Sequence, residues 1–125
     1  MNRQEFITAL NKLNLPRTEF VILSGGSLLM RGLRQETADM DLSASGKLAE
    51  MIRLYDCPKD EAGMYVPFEN VQMNDDMERF SFDVIEGYRC ESLEDILRQK
   101  KAWNRPKDLK DIEVIEAYLE SHRAE

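Results

Sequence analysis

Two aspartates separated by one residue, Asp39 and Asp41, are the side chains best placed for chemistry. On a β-strand successive side chains alternate, so both carboxylates would share one face while Met40 and Leu42 take the other. Two carboxylates roughly 7 Å apart at Cα repel each other unless a cation lies between them. Mg²⁺ prefers such oxygen ligands and also binds substrate phosphates, so the pair predicts a metal site. The simpler alternative is an Asp-x-Asp in a surface loop.

A small-residue segment, Ser24-Gly25-Gly26-Ser27, precedes the aspartates. It follows an apolar run typical of a central strand and leads into a short apolar helix. Glycines allow positive φ and close backbone approach, and the N–H groups at a helix start attract phosphate. Gly25, Gly26 and Ser27 are therefore candidates for phosphate binding. A purely structural turn, with Ser27 as an ordinary helix N-cap, is the alternative, and the two roles are compatible.

A third acid, Asp83, interrupts a run of strand-forming residues over Arg79–Ile85. It is the best candidate for a third carboxylate beside the aspartate pair. In that position it would take a proton from an attacking hydroxyl or complete the metal site. The alternative is that Asp83 lies on the solvated face of a half-buried strand.

A basic stretch over residues 98–110 contrasts with the acidic chain, whose net charge is −7. It holds six Lys or Arg residues and one acid, which suits a polyphosphate ligand better than a long duplex. Trp103 in this stretch could stack on a base, although a lone Trp at a helix end more often fills the core. Arg31 and Arg34, between the glycines and the aspartates, could reach a phosphate or face solvent.

The composition is that of one ordinary globular domain: 125 residues, 42% hydrophobic and 33% charged. There is no apolar run of membrane-spanning length and no signal-peptide core, so we expect a cytoplasmic protein without a membrane partner. Cys57 and Cys90 are too few for a disulfide framework, and with a single histidine they give little basis for a zinc site. The negative charge argues against a general nucleic-acid surface.

Hydrophobic spacing predicts an α/β (α+β) fold, a small mixed β-sheet with helices packed on it, as a single domain over residues 1–125. The predicted helices cover Glu5–Asn14 and Lys47–Tyr55, begin at Ser92, and close the chain from Pro106; the predicted strands cover Phe20–Leu23, Asp39–Leu42, Tyr65–Phe68 and Arg79–Ile85.

The glycine segment and the aspartate strand together resemble a known signature. Twelve residues, 27 to 38, separate Gly26 from Asp39, and this pattern is similar to the DNA polymerase β-like nucleotidyltransferase superfamily, most of all its small single-domain, abortive-infection-toxin-like branch. The resemblance implies a nucleotidyltransferase-like fold and a nucleoside triphosphate held by the glycines and the following serine. It also implies Mg²⁺ (or Mn²⁺) held by Asp39 and Asp41, with Asp83 as the third acid on a neighbouring strand, and a toxin–antitoxin-like setting.

A second stretch, in the basic segment, resembles the C-terminal pattern of the same families, a helical Lys followed by Arg-x-Lys-Asp-x-x-Asp. Carried over by position, Lys100 would contact the triphosphate, and Arg105, Lys107 and Asp108 would line or brace the site. Lys101 is the alternative to Lys100 because the register is ambiguous by one residue. A structural ion pair between Arg105 and a nearby aspartate is equally compatible with the sequence.

These features predict a Mg²⁺-dependent enzyme that transfers a nucleoside monophosphate from an NTP to an acceptor hydroxyl and releases pyrophosphate. The acceptor stays open between an RNA end, a protein side chain and a small molecule. Because no second domain for an acceptor is evident, a homodimer or a partner protein could complete the site. The main alternative is a catalytically inactive regulator of the same fold that binds nucleotide or protein. A purely structural subunit would bind neither Mg²⁺ nor NTP.

Overall fold

A six-stranded mixed sheet with helices packed on it forms the centre of the computed structural model, which describes residues 1–55 and 57–122. This confirms the predicted fold class. Within these residues the strands are β1 Phe20–Ile22, β2 Met40–Ala44, β3 Tyr65–Phe68, β4 Val71–Asn74, β5 Phe82–Ile85 and β6 Tyr88–Glu91, and the α-helices are α1 Arg3–Leu13, α2 Ser24–Met30, α3 Gly46–Leu54, α4 Leu93–Trp103 and α5 Leu109–His122.

The strands lie in the order β3-β4-β2-β1-β6-β5, and several of them begin or end at the same end of the sheet. Strand β1 is antiparallel to β2 and parallel to β6, while β2 is parallel to β4. The ends of β1 and β6 and the beginning of β2 therefore lie at the same end of the sheet. The N–H of Leu23, just after β1, donates to the carbonyl of Asp41 at 2.9 Å. The glycine segment and the aspartates come together at this end of the sheet.

Helix α2 packs directly on the sheet, and Gly26 makes this possible. A Cβ on Gly26 would come within 2.7 Å of Ile22 Cγ2 and 2.8 Å of Phe6 Cζ. Gly25 and Gly26 lie in the first turn of α2, so the prediction that the glycine segment precedes the helix is wrong. The residue with positive φ is Ser24, at 42°. Close packing rather than left-handed backbone accounts for Gly26.

Local signals place most of the other elements where the sequence predicts them. Asn2 and Glu5 form a capping box at the start of α1, and Ser92 caps α4 through the N–H of Asp95. The predicted strand over Arg79–Ile85 is shorter, because a 3₁₀ turn over Met77–Arg79 precedes β5. Strand β4 was not predicted. None of the described helices combines the length and the apolar character needed to cross a membrane.

Candidate functional site

An open cleft lies at the end of the sheet where β1 ends and β2 begins. It consists of two hollows, of about 670 and 530 Å³, that share Ser24, Asp39 and Asp41. The first hollow, on the side of Arg34, is also bordered by Gly25 and Gly26; the second hollow extends along α4 and is also bordered by Gln72, Phe80, Glu91, Trp103, Arg105 and Lys107. The aspartates thus lie at the junction of the two hollows.

The aspartate pair has the alternation that the sequence predicts. Met40 and Leu42 are buried in the core, while Asp41 is partly exposed and Asp39, just before β2, is exposed. Burial, together with the negative charges of Asp39 and Asp60, raises the pKa of Asp41. The site therefore concentrates negative charge that a bound cation would relieve.

The protein side chains alone provide few metal ligands here. Among residues 1–55 and 57–122, no three His, Cys, Asp or Glu side chains lie together as a potential metal-binding group. Asp39 and Asp41 offer two carboxylates that face a cleft large enough for a ligand. Mg²⁺ is usually bound by one or two carboxylates with water and substrate phosphates, so this donor set fits Mg²⁺ bound together with a polyphosphate.

Gln72 occupies the strand position next to Asp41. The two residues are register partners on the parallel strands β2 and β4, so their side chains share one face of the sheet. Gln72 Oε1 is buried and has no hydrogen-bond partner in the described part of the chain. An amide oxygen can ligate a hard cation, but unlike a carboxylate it cannot accept a proton at neutral pH.

The structure does not bring Asp83 to the aspartate pair. It lies on β5 at the edge of the sheet, and both β1 and β6 separate β5 from β2. Its carboxylate is exposed and forms an ion pair with Arg31 at 3.0 Å. The prediction that Asp83 stands on a strand next to Asp39 and Asp41 is therefore wrong.

Ser27 is also placed away from a ligand. Its side chain is fully buried, and its hydroxyl donates to the carbonyl of Glu91 at 2.7 Å. The hydroxyl therefore stabilises the packing of α2 on β6, and the expected contact between Ser27 and a phosphate is not available in this conformation. Gly25 and Gly26 do border the cleft, as the phosphate-binding prediction requires.

Glu91 is a cleft residue that the sequence reasoning did not find. One carboxylate oxygen accepts from the N–H of Ser24 at 2.9 Å, and the other accepts from Gln99 Nε2 at 3.0 Å. Burial raises the pKa of Glu91. The available signal is that Glu91 is the acidic residue between the apolar end of a strand and the N-cap Ser92. Its approach to Ser24 depends on the parallel pairing of β1 and β6, which the sequence does not reveal.

Lys100 lies in a buried ionic network beside the cleft. Lys100 is only 4% exposed. Its Nζ is 3.2 Å from Asp108 Oδ1 and 3.3 Å from Asp111 Oδ2. Arg105 binds Asp108 with two hydrogen bonds, at 2.6 and 3.1 Å, and Arg34 pairs with Asp111 at 2.9 Å. We call these five residues the Lys100 network. The hydrogen bonds from Arg105, together with Lys100, lower the pKa of Asp108.

The network settles the register of the basic stretch. Lys100 faces inward, whereas the Lys101 side chain is 53% exposed. Lys100 and Asp108 have one another as buried partners, so in this conformation they brace the cleft instead of lining it. Arg34 and Arg105 do line it. The Arg34 guanidinium lies over Gly25, where a Cβ would collide with Nη1, which links the network to the start of α2.

Comparison of the chain with protein-family models, with curated proteins and with solved structures finds no match in any of the three.

Proposed function

We propose that the protein binds a nucleoside triphosphate with Mg²⁺ or Mn²⁺ in the cleft and transfers its nucleoside monophosphate to an acceptor hydroxyl. The observation that carries this proposal is the charge arrangement of the cleft. Asp39 and Asp41 concentrate negative charge at its centre, and Arg34, Arg105 and Lys107 border the same cleft. A metal–triphosphate complex carries charges of both signs and complements both sets of groups.

The residues that border or brace the cleft have the following roles in this proposal. Asp39 and Asp41 would hold the cation, whose chemistry is to neutralise the triphosphate and polarise its phosphorus–oxygen bonds. Arg34 and Arg105 would bind phosphate oxygens through charge-assisted hydrogen bonds. Gly25, which has no side chain, keeps the wall of the cleft open next to them. Lys100 and Asp108, which the resemblance implies to be nucleotide-binding, would instead position Arg105.

Glu91 is the residue that we assign to proton transfer in place of Asp83. It is only 1% exposed but borders the cleft, and burial raises its pKa toward the range in which a general base is effective. Each of its two oxygens accepts one hydrogen bond from the protein, so each keeps a further lone pair. Glu91 would therefore take the proton of the acceptor hydroxyl while the hydrogen bonds from Ser24 and Gln99 hold its orientation.

The acceptor and the assembly belong to the same proposal. We keep an RNA end, a protein side chain and a small molecule as acceptors, and a second copy or a partner protein such as an antitoxin as the means of completing the site. The cytoplasm is the compartment in which nucleoside triphosphates are available and in which Cys57 and Cys90, both free in the structure, would remain reduced.

A second function, a nucleotide-binding regulator without turnover, is favoured by one specific observation. The position beside Asp41 on the neighbouring strand is Gln72, an amide, and Asp83 lies on the other side of β1 and β6. A site of this kind would bind the metal and the triphosphate but would lack a third carboxylate next to the pair. The two functions differ in turnover and agree on binding.

Calorimetric titration with ATP, with and without Mg²⁺, followed by a pyrophosphate-release assay, separates these functions. We expect Mg²⁺-dependent binding, and we expect Asp39→Asn and Asp41→Asn each to reduce pyrophosphate release by about 100-fold or more, the usual effect of removing one electrostatic group from an active site. Asp83→Asn is the matched control and should retain activity.

The other outcomes of these experiments favour the regulator, contradict both functions or remove the role of the aspartate pair. Mg²⁺-dependent binding without pyrophosphate release, on RNA, protein and small-alcohol acceptors alike, would favour the regulator. Absence of ATP binding in the presence of Mg²⁺ would contradict both functions. Equal activity of wild type and both β2 variants would remove the role of the aspartate pair.

A further inference from the structure

Trp103 is a large aromatic side chain that borders the cleft instead of filling the core. It is the single tryptophan of the sequence, the last residue of α4, and 52% exposed. Trp103 lines the second hollow of the cleft but not the first. A partly exposed indole on a concave surface is typical of a binding site, because it offers a broad apolar face to a ligand.

The indole is held in place by the Lys100 network. Asn104, with φ 51°, ends α4 directly after Trp103 and turns the chain back. This turn places the Arg105 guanidinium over the indole, 4.3 Å from the ring centroid. Arg105 is itself fixed by its two hydrogen bonds to the buried Asp108. A ring that is ordered before binding loses less conformational entropy when a ligand stacks on it.

A second aromatic ring borders the same hollow. Phe80, partly buried, lies under the Arg79 guanidinium, which is 5.0 Å from its ring centroid. Phe80 and Trp103 both line the second hollow, whereas Asp39 and Asp41 lie at its junction with the first. The volume of the second hollow, about 530 Å³, is in the range of small-molecule sites. The cleft therefore joins a carboxylate region to an aromatic region.

We propose that Trp103 and Phe80 form the nucleobase subsite of the cleft, with the phosphates of the same ligand at Asp39 and Asp41. This inference rests on the proposed binding of a nucleoside triphosphate. Stacking uses the π-face that every base has, so the subsite accepts all four common nucleotides and binds purines more tightly because their rings are larger. Hydrogen bonding to the base edge is not required for this recognition.

The single tryptophan makes the inference directly measurable by fluorescence. In the presence of Mg²⁺, ATP should quench the Trp103 emission saturably. Inorganic tripolyphosphate, which has the phosphates without the base, should compete with ATP and leave the emission unchanged when it binds alone. Equal quenching by tripolyphosphate and ATP would overturn the assignment of the base to Trp103.

Calorimetry on variants gives the second readout. Trp103→Ala should weaken Mg²⁺–ATP binding by about tenfold, the effect of losing one base–aromatic stack, while Trp103→Phe keeps affinity within about threefold. Tripolyphosphate affinity should be equal in all three proteins. Phe82→Ala on β5 is the control for loss of an exposed aromatic outside the cleft. Circular dichroism checks that each variant is folded.

The failures of the two proposals are distinguishable. If neither ATP nor tripolyphosphate binds with Mg²⁺, the proposed function fails and this inference fails with it. If both ligands bind but Trp103→Ala keeps the ATP affinity of wild type, only the nucleobase subsite is contradicted. An equal loss of ATP and tripolyphosphate affinity in Trp103→Ala would also contradict the subsite, because it would assign the effect to the phosphates.

Discussion

Asp41 and Asp108 are the same residue type in two contrasting environments of one cleft. Asp41 is partly exposed near the beginning of β2, where burial and the charges of Asp39 and Asp60 raise its pKa. Asp108 is fully enclosed, yet the hydrogen bonds from Arg105, together with Lys100, lower its pKa. Burial alone raises the pKa of a carboxyl group, so the difference comes from the partners and not from the depth.

The contrast separates the frame of the cleft from its ligand site. The Lys100 network satisfies its charges internally, and a network of that kind fixes geometry. Asp41 instead lies near two other acids, Asp39 and Asp60, whose negative charges add to its own. Charge that the fold leaves uncompensated is where we expect the ligand, and the following variants test this division.

The largest effect on stability should come from the frame. Lys100→Met leaves Asp108 and Asp111 with one cationic partner each, Arg105 and Arg34, and should lower the free energy of unfolding by about 3 kcal/mol. The matched control is the next residue, because Lys101 forms an exposed pair with Glu116. Lys101→Met should change stability by about 0.5 kcal/mol or less.

Urea denaturation of the two lysine variants measures this difference. If Lys100→Met and Lys101→Met lose the same stability, the buried network does not support the cleft. The same result would leave room for Lys100 to be a ligand contact, as the resemblance to nucleotidyltransferases implies.

Smaller effects of opposite sign should separate the two aspartates. Asp41→Asn removes a carboxylate whose ionised form the fold disfavours, and should stabilise the protein by about 1 kcal/mol at pH 7. Asp108→Asn removes the favoured partner of Arg105 and Lys100, and should destabilise it by about 2 kcal/mol.

The pH dependence of these differences follows from the directions of the shifts. The folded pKa of Asp41 is raised, so wild type recovers stability relative to Asp41→Asn as pH falls through that pKa. The folded pKa of Asp108 is lowered, so its contribution is present above the unfolded value near 3.9 and is lost as pH falls through the folded pKa. Thermal unfolding midpoints from pH 3 to 8 check both signs. Destabilisation by Asp41→Asn at pH 7 would contradict the account of β2.

Much of the fold could be predicted from the sequence because its signals are local. The alternation of Asp39, Met40, Asp41 and Leu42 depends only on the pleat of a strand, and the caps at Asn2 and Ser92 depend on neighbouring residues. The sequence does not predict strand β4, because the strand has only four residues, Val71–Asn74, and follows a turn. Only the pairing with β2 and β3 makes them a strand.

The errors at the site come from contacts between segments that are distant in the sequence. The resemblance implies that Asp83 lies on a strand next to the aspartate pair, but strand order is decided by pairing between distant segments. The same pairing places Gln72 beside Asp41 and Glu91 beside Ser24. Ser27 reads as an exposed N-cap in sequence, and the packing of α2 on β6 buries it.

The most direct test asks whether Asp39 and Asp41 hold the cation of a bound nucleotide. Mn²⁺ is titrated in the presence of a nonhydrolysable ATP analogue, and electron paramagnetic resonance measures the free ion. Wild type and Asp83→Asn should bind Mn²⁺ equally and only when the analogue is present, while Asp39→Asn and Asp41→Asn should each lose about tenfold or more in affinity, as a site with one of two carboxylates removed would. Wild-type affinity in both β2 variants, or loss of binding in Asp83→Asn alone, would contradict the account.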